Sequence, residues 1–255
     1  MNLEVQMIEK LLHRQPELDK IIGVKYEVLN GGHVILLDAM GSDASIVAAA
    51  RTSYGLGTKK RSEDLKLLRY LLKNKHTSPF EQVVLKFHMK LPIFVARQMV
   101  RHRTARLNEM SGRYTEIPHE FYIPEAANSG DGVILRGQDT ANKQGSMGLV
   151  EVSYTLFQQW LDNMTDAFKI YEALVAAGVA KELARIHLPV ATYTEWVWQM
   201  DLHNLMHFLR LRLHSHAQEE IRVYAMQMYW IAHSVAPETM RIFVETLADD
   251  QAYSL

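Results

Sequence analysis

The sequence predicts an α+β fold: a central, mostly antiparallel sheet flanked by long helices, in a single domain per subunit. Three observations predict it. Stretches 33–40 (HVILLDAM), 82–92 (QVVLKFHMKLP) and 191–200 (ATYTEWVWQM) are rich in β-formers, and the second alternates as a half-buried strand does. Stretches 146–177 and 201–236 carry apolar residues at helical spacing. Across the 255 residues there is no internal repeat and no linker that would separate domains.

In chain order, residues 2–15 read as a short amphipathic helix, and 1–25 as an N-terminal extension with no assigned function. Gly31-Gly32 signals a turn before the first strand. Ser42 or Asp43 can cap a helix over 44–51, which the glycines of ARTSYGLG then break. Ser62, with Glu63 and Asp64 in the first turn, starts a helix that ends in lysines, as the macrodipole prefers. Residues 76–81 (HTSPFE) form a loop into the 82–92 strand. Residues 116–124 continue extended. Residues 125–145, rich in Gly, Asn and Asp, read as a variable surface loop. A long helix runs from Ser146 to Ala177 and ends at Gly178. A short helix stops at Pro189, a strand follows, and Asp201 caps the first of two helices meeting near 213–216. A last helix follows Pro237.

Composition excludes several classes. Nearly half of the residues (48%) are apolar and the net charge is −1, which describes a globular protein with no long-range field for nucleic acid. No run reaches the length of a membrane helix, and the acid-bearing N-terminus is no secretory signal, so a cytoplasmic location is expected. The chain has no cysteine. Disulfides, thiolate metal sites and every cysteine nucleophile are therefore excluded.

Residues 92–114, PIFVARQMVRHRTARLNEMSGRY, concentrate the chemistry. Four arginines lie between Arg97 and Arg106, with Arg113, His102, Glu109 and Ser111 alongside. A basic run is ordinarily a solvated face, but here it is embedded among Ile, Phe, Val and Met. Pro92 suits a first helical turn, and at helical spacing Arg97 and Arg101 share a face. Beyond Asn108 an extended chain would point Glu109, Ser111 and Arg113 to one side. A carboxylate, a hydroxyl and a guanidinium together suit a substrate with a phosphate at one end and polar edges at the other. In the second cluster, His203 and His207 stand i, i+4, a spacing that metals use. Asn204, however, occupies the place where a zinc hydrolase wants Glu. Two alternatives thus stay open: a metal-dependent hydrolase on His203 and His207, and a nucleotide- or RNA-binding module on the arginine run.

Arg101-His102-Arg103, seven residues, then Ser111, with Asn108, Glu109 and Arg113 around it, resembles the signature of the flavin-dependent thymidylate synthases (the thymidylate synthase-complementing protein family). The resemblance spans roughly residues 30–240. It implies methylation of dUMP to dTMP, with FAD as cofactor, methylene-tetrahydrofolate as carbon donor and NADPH as reductant. It also implies a homotetramer whose active sites are shared between subunits. His76 is implied near flavin and folate, and Ser78 on FAD, with Arg101, His102, Arg103, Glu109, Asp201, Leu202, His203 and His207. The implied dUMP set is Gln98, Met99, Val100, Arg101, Glu109, Met110, Ser111, Gly112, Arg113, Arg185 and Arg212. Arg212, His76 and Ser111 carry the implied catalytic roles, and no metal is implied. Two departures stand out: Asp201, His203 and His207 where Asn, Arg and Asn are usual, and Arg106 in place of Ser or Asn.

Lacking a thiol, such an enzyme must activate uracil otherwise. Charge developing at the ring's N3 and oxygen needs a fixed cation, and Arg212 suits it. Arg113 and Arg185 suit the phosphate, aided by backbone N–H groups of Met110 to Gly112. Arg101, His102 and Arg103 would supply positive charge to the flavin. Ser111 has arginines and no base beside it, so it reads as an orienting group rather than a nucleophile.

Overall fold

The computed structural model describes residues 18–52, 61–140 and 145–247. The helix expected over 2–15, the glycine break after Arg51 and the capping side chain of Ser62 lie outside the described residues and side chains. The elements are α1 (Leu18–Ile21), β1 (Lys25–Val28), β2 (Gly32–Met40), α2 (Asp43–Thr52), α3 (Arg61–Lys73), β3 (Val84–Pro92), α4 (Ile93–Met99), β4 (Arg106–Glu109), β5 (Ala127–Asn128), β6 (Gly132–Gln138), β7 (Ser146–Ser153), α5 (Tyr154–Ala176), α6 (Lys181–Ala184), β8 (Tyr193–Asp201), α7 (Leu202–Arg212), α8 (Glu219–Val235) and α9 (Pro237–Glu245).

The α+β architecture is the one expected. Five antiparallel strands lie in the order β1-β2-β3-β8-β4. Alternation along β3 and β8 builds the core: Leu85, Phe87, Met89 and Leu91 face the same side as Trp196, Trp198 and Met200, and all are buried. Phe87 stands opposite Trp198 and Met89 opposite Trp196. Helices α7, α8 and α9 close over that face with Phe208, Ile221, Tyr224, Met228 and Phe243. Truncating either tryptophan to alanine would cost about 3–5 kcal/mol. Alternate positions carry polar groups, where His33, His88 and Glu195 form a chain of 3.2 Å contacts. Among the described residues no helix is long and apolar enough to cross a membrane.

The turn at Gly31-Gly32 is built for a close approach. A Cβ on Gly32 would stand 2.0 Å from Tyr224 Oη, which donates to the Lys90 carbonyl at 2.7 Å. Asp43 opens α2 as expected, but its carboxylate caps a different helix. It accepts from the backbone amides of Glu238 and Thr239, both at 2.9 Å, at the start of α9.

Two expectations about the middle of the chain are corrected. The 125–145 segment holds β5 and β6, and residues 146–153 are strand β7, so the long helix starts at Tyr154 rather than Ser146. Val133 pairs with Val152, and Leu135 with Val150, so the apolar residues read as a helical stripe serve a hairpin ladder. Gly148 at φ +67 suits a strand irregularity and not a helix. Ser153 then caps α5, accepting from the Leu156 amide at 3.3 Å. Arg136 of β6 pairs with Glu219 and with the buried Glu220, which also accepts from Tyr122 Oη at 3.1 Å. That network ties the hairpin to the first turn of α8.

Candidate active site

Pro92 ends β3 and serves as the N-cap of α4, where its missing N–H is no loss. Val95, Ala96 and Met99 anchor α4 in the core, leaving Arg97 exposed and Gln98 half-buried. The helix has only seven residues and is capped at Val100. Arg101 therefore lies past its end, and the helical face expected to hold Arg97 with Arg101 does not form. The chain instead tightens, with the His102 amide on the Met99 carbonyl at 3.0 Å, and passes into β4.

Among the described residues β4 is an edge strand paired only to β8, with Arg106 opposite Gln199 and Glu109 opposite Trp196. Glu109 accepts from Thr194 Oγ1 at 2.7 Å. The expected extended run does not continue to Arg113. The Tyr114 and Thr115 amides bond the Ser111 carbonyl at 3.0 and 3.1 Å, closing a turn, so Glu109, Ser111 and Arg113 do not share a strand face. The pairing along β8 ends there: the Met110 amide makes a last bond to the Glu195 carbonyl at 2.8 Å. That bond takes Met110's N–H, expected on a phosphate, out of use. Ser111 Oγ accepts from the Arg113 amide at 3.3 Å. Gly112 is buried here because a Cβ would sit 2.8 Å from Ile117 Cδ1 and 3.2 Å from Arg185 Cδ. The turn thus brings Ser111, Gly112, Arg113 and Arg185 together, with Arg113 Nε on Glu182 at 2.9 Å.

The second cluster lies along α7. Asp201 is its N-cap, accepting from the Asn204 amide at 2.9 Å, and Leu202 donates to the Val83 carbonyl at 2.7 Å. Val83 follows the short 3₁₀ turn Phe80–Gln82, so exposed His76 and Ser78 belong to the loop leading to this end of the helix. Arg212 closes the other end. Eleven residues at 1.5 Å each separate the two ends by about 16 Å. His203 is partly buried and His207 exposed. No group of three His, Cys, Asp or Glu that could hold a metal ion occurs among the described residues.

At the Arg212 end the geometry is specific. Arg212 Nε donates to His102 Nε2 at 3.1 Å. The imidazole stands edge-on to Phe208, ring centres 4.8 Å apart, and 6.3 Å from the His207 ring. Burial, then the Arg212 charge, then His207, push the His102 pKa down to about 4. At neutral pH His102 is thus an uncharged acceptor toward Arg212. Burial also lowers Arg212's pKa, yet a guanidinium stays charged. Arg97, Arg101, Arg103, Arg106 and Arg185 make no ion pair among the described residues. Met99 and Leu202 are fully buried, so only their backbone could meet a ligand. Val100 is exposed.

The chain therefore presents two groups, His102 with His207 and Arg212, and the 111–113 turn with Arg185, while Gln98 meets Gln218 and the loop holding His76 and Ser78 leads into the 3₁₀ turn before Val83. Three partners escaped the sequence reading. Gln218 meets Gln98 side chain to side chain at 2.5 Å, Thr194 meets Glu109, and Glu182 meets Arg113. The one available signal was Glu182 lying three residues before Arg185 on a short helix.

The family model described as thymidylate synthase complementing protein matches residues 35–238. A flavin-dependent thymidylate synthase of Treponema denticola is 52% identical over 216 residues, covering 84% of this chain and 79% of that relative. The flavin-dependent thymidylate synthase of Thermus thermophilus is 49% identical over 224 residues, covering 87% of this chain and 79% of its own. Among solved structures, the UMP/dUMP methylase PolB of Streptomyces cacaoi, bound with 5-Br UMP, superposes with a TM-score of 0.73. Its identity is 33%, over 86% of this chain and 96% of that one. On this evidence of sequence and shape, the chain belongs to the thymidylate synthase complementing protein family.

Proposed function

We propose that the protein methylates dUMP reductively to dTMP in the cytosol, with FAD bound, methylene-tetrahydrofolate as carbon donor and NADPH as reductant. The observation that carries this reading is the Arg212–His102 contact. A neutral imidazole takes the Nε hydrogen, which fixes the guanidinium plane and leaves its Nη edge for a ligand. In a chain without cysteine, that fixed cation is the group suited to draw electron density at a uracil ring edge toward N3 and the adjacent oxygen. Gln98 then orients the base, Glu109 bridges nucleotide and flavin, and Arg113 and Arg185 hold the phosphate with the Ser111–Gly112 backbone. Ser111 orients and does not attack.

The chemistry of the donor set fits a flavin dinucleotide. Arg101 and Arg103 carry charge suited to its diphosphate, while Asp201, His203 and His207 offer hydrogen-bonding groups along the first turns of α7, and Ser78 and His76 would add to them from the preceding loop. When bound, the flavin supplies reducing equivalents as hydride. The groups lie on separate parts of one chain, and exposed Tyr154, Leu156, Trp160 and Ile170 line α5. Both facts favour a homotetramer whose active sites combine residues of several subunits.

The test is spectroscopic and chemical. Protein reconstituted with FAD should be yellow, bleach with NADPH, and release tritium from dUMP labelled at ring carbon 5 when folate is present. A colourless protein that releases no tritium ends the proposal. Bound zinc with hydrolase activity would point to His203 and His207 instead, and salt-sensitive RNA binding without cofactor to the arginine run.

A further inference from the structure

Nothing assigned above gives a role to Glu182, yet it makes the one ion pair of the 111–113 turn among the described residues. Its Oε2 accepts from Arg113 Nε at 2.9 Å. A guanidinium offers two bidentate edges, and occupying Nε leaves only the Nη1–Nη2 edge for a phosphate. The short helix that carries Glu182 is held to the same turn elsewhere. Lys181 Nζ lies 3.4 Å from Glu116 Oε1, and a Cβ on Gly112 would stand 3.2 Å from Cδ of Arg185, the residue that caps the helix. The Glu182 carboxylate therefore meets Arg113, one of the two guanidinia that would hold a nucleotide phosphate, and lies three residues before the other, Arg185. It touches the atom of Arg113 that an end-on phosphate would not use.

We infer that Glu182 is a positioning residue that aims Arg113 at the substrate phosphate and so sets the preference for a nucleotide over its nucleoside. The inference rests on the phosphate site proposed for Arg113. It separates two otherwise similar schemes. If Glu182 merely stabilised the fold, its loss would weaken every ligand alike. If it competed with phosphate for Arg113, its loss would tighten dUMP.

The experiment compares FAD-loaded wild type with Glu182→Ala, Glu182→Gln, Lys181→Ala and Arg113→Ala. It measures kcat and KM for dUMP and the dissociation constants of dUMP and deoxyuridine. Glu182→Ala should raise KM for dUMP about fivefold, the size of a half-exposed charged contact, leave kcat unchanged, and lower the dUMP-to-deoxyuridine affinity ratio by the same factor. Glu182→Gln, whose amide oxygen still accepts from Nε, should recover part of the loss. Lys181→Ala, which cuts the other tie and spares Arg113, should keep the wild-type ratio. Equal weakening of both ligands, tighter dUMP, or an equal effect in Lys181→Ala would overturn the inference. Arg113→Ala distinguishes the failures. If it leaves the ratio unchanged, the phosphate site itself is wrong; if it lowers the ratio while Glu182→Ala does not, only the role of Glu182 falls.

Discussion

Part of the stability that the flavin-free protein loses on acidification should come from His102, and the size of that part can be worked from the structure. The imidazole pKa is pushed down to about 4 from the ordinary 6.5, because burial, Arg212 and His207 all oppose its protonation. The folded pKa is depressed. As pH falls through 6.5 the unfolded chain takes up a proton that the folded chain refuses, and the loss continues until the folded group titrates near 4. The stabilisation is therefore present above pH 6.5 and lost between about 6.5 and 4. Linkage sets a ceiling of about 3 kcal/mol, and solvent screening of a half-exposed ring reduces this to about 1 kcal/mol.

The assay is urea unfolding near pH 7 and near pH 4.5, in wild type and in His102→Gln, which keeps an acceptor for Arg212 but cannot titrate. Carboxylates and His33, whose pKa is also lowered by burial, are common to both proteins and cancel in the comparison. With a slope of about 2 kcal/mol per molar, wild type should lose about 0.5 M more of its midpoint than the variant. Arg212→Ala should recover part of the difference, since the guanidinium is the second cause of the depression. Identical losses in wild type and His102→Gln would refute the claim that His102 is held neutral, and with it the account of how Arg212 is aimed.

Arg212→Ala should lose most of kcat, two orders of magnitude or more on the scale of a lost electrostatic stabiliser, in a tritium-release assay; wild-type turnover would remove it from the mechanism. Ser111→Ala should weaken dUMP binding and leave measurable turnover, and a Ser111–nucleotide adduct found by mass spectrometry would contradict this. Asp43→Ala removes two backbone hydrogen bonds at the start of α9 and should cost about 2 kcal/mol, read as a lower urea midpoint with unchanged slope. Gly32→Ala should destabilise by more than a surface substitution does, because the new methyl meets Tyr224 Oη and the Lys90 and Val28 carbonyls; an unchanged midpoint would show that the turn relaxes.

Where sequence and structure agree, the signal is local and one-sided. β3 and β8 bury alternate residues on one face only, so Leu85 to Leu91 and Trp196 to Met200 announce their period. Asp201 caps α7 as read because a cap and its partner lie three residues apart. The failures have the opposite character. Residues 146–153 looked helical because Leu149, Val150 and Val152 also suit the stripe that follows, and only pairing with β6 decides between the two. Ser111 turns where an extended run was expected because the ladder along β8 stops at Met110, which the turn's own sequence does not announce. The same distinction runs through the site. Its residue types were legible, Arg113 within a dense local motif and Arg185 and Arg212 through the resemblance to the family. Their states were not: the neutrality of His102 comes first from burial and then from Arg212, 110 residues away, and the aim of Arg113 from Glu182, 69 residues away. Charge and orientation at this site are set by long-range contacts, while the choice of side chain is written locally. A variant such as Glu182→Ala, which leaves the arginine motif untouched, is therefore the sharper probe of how that motif works.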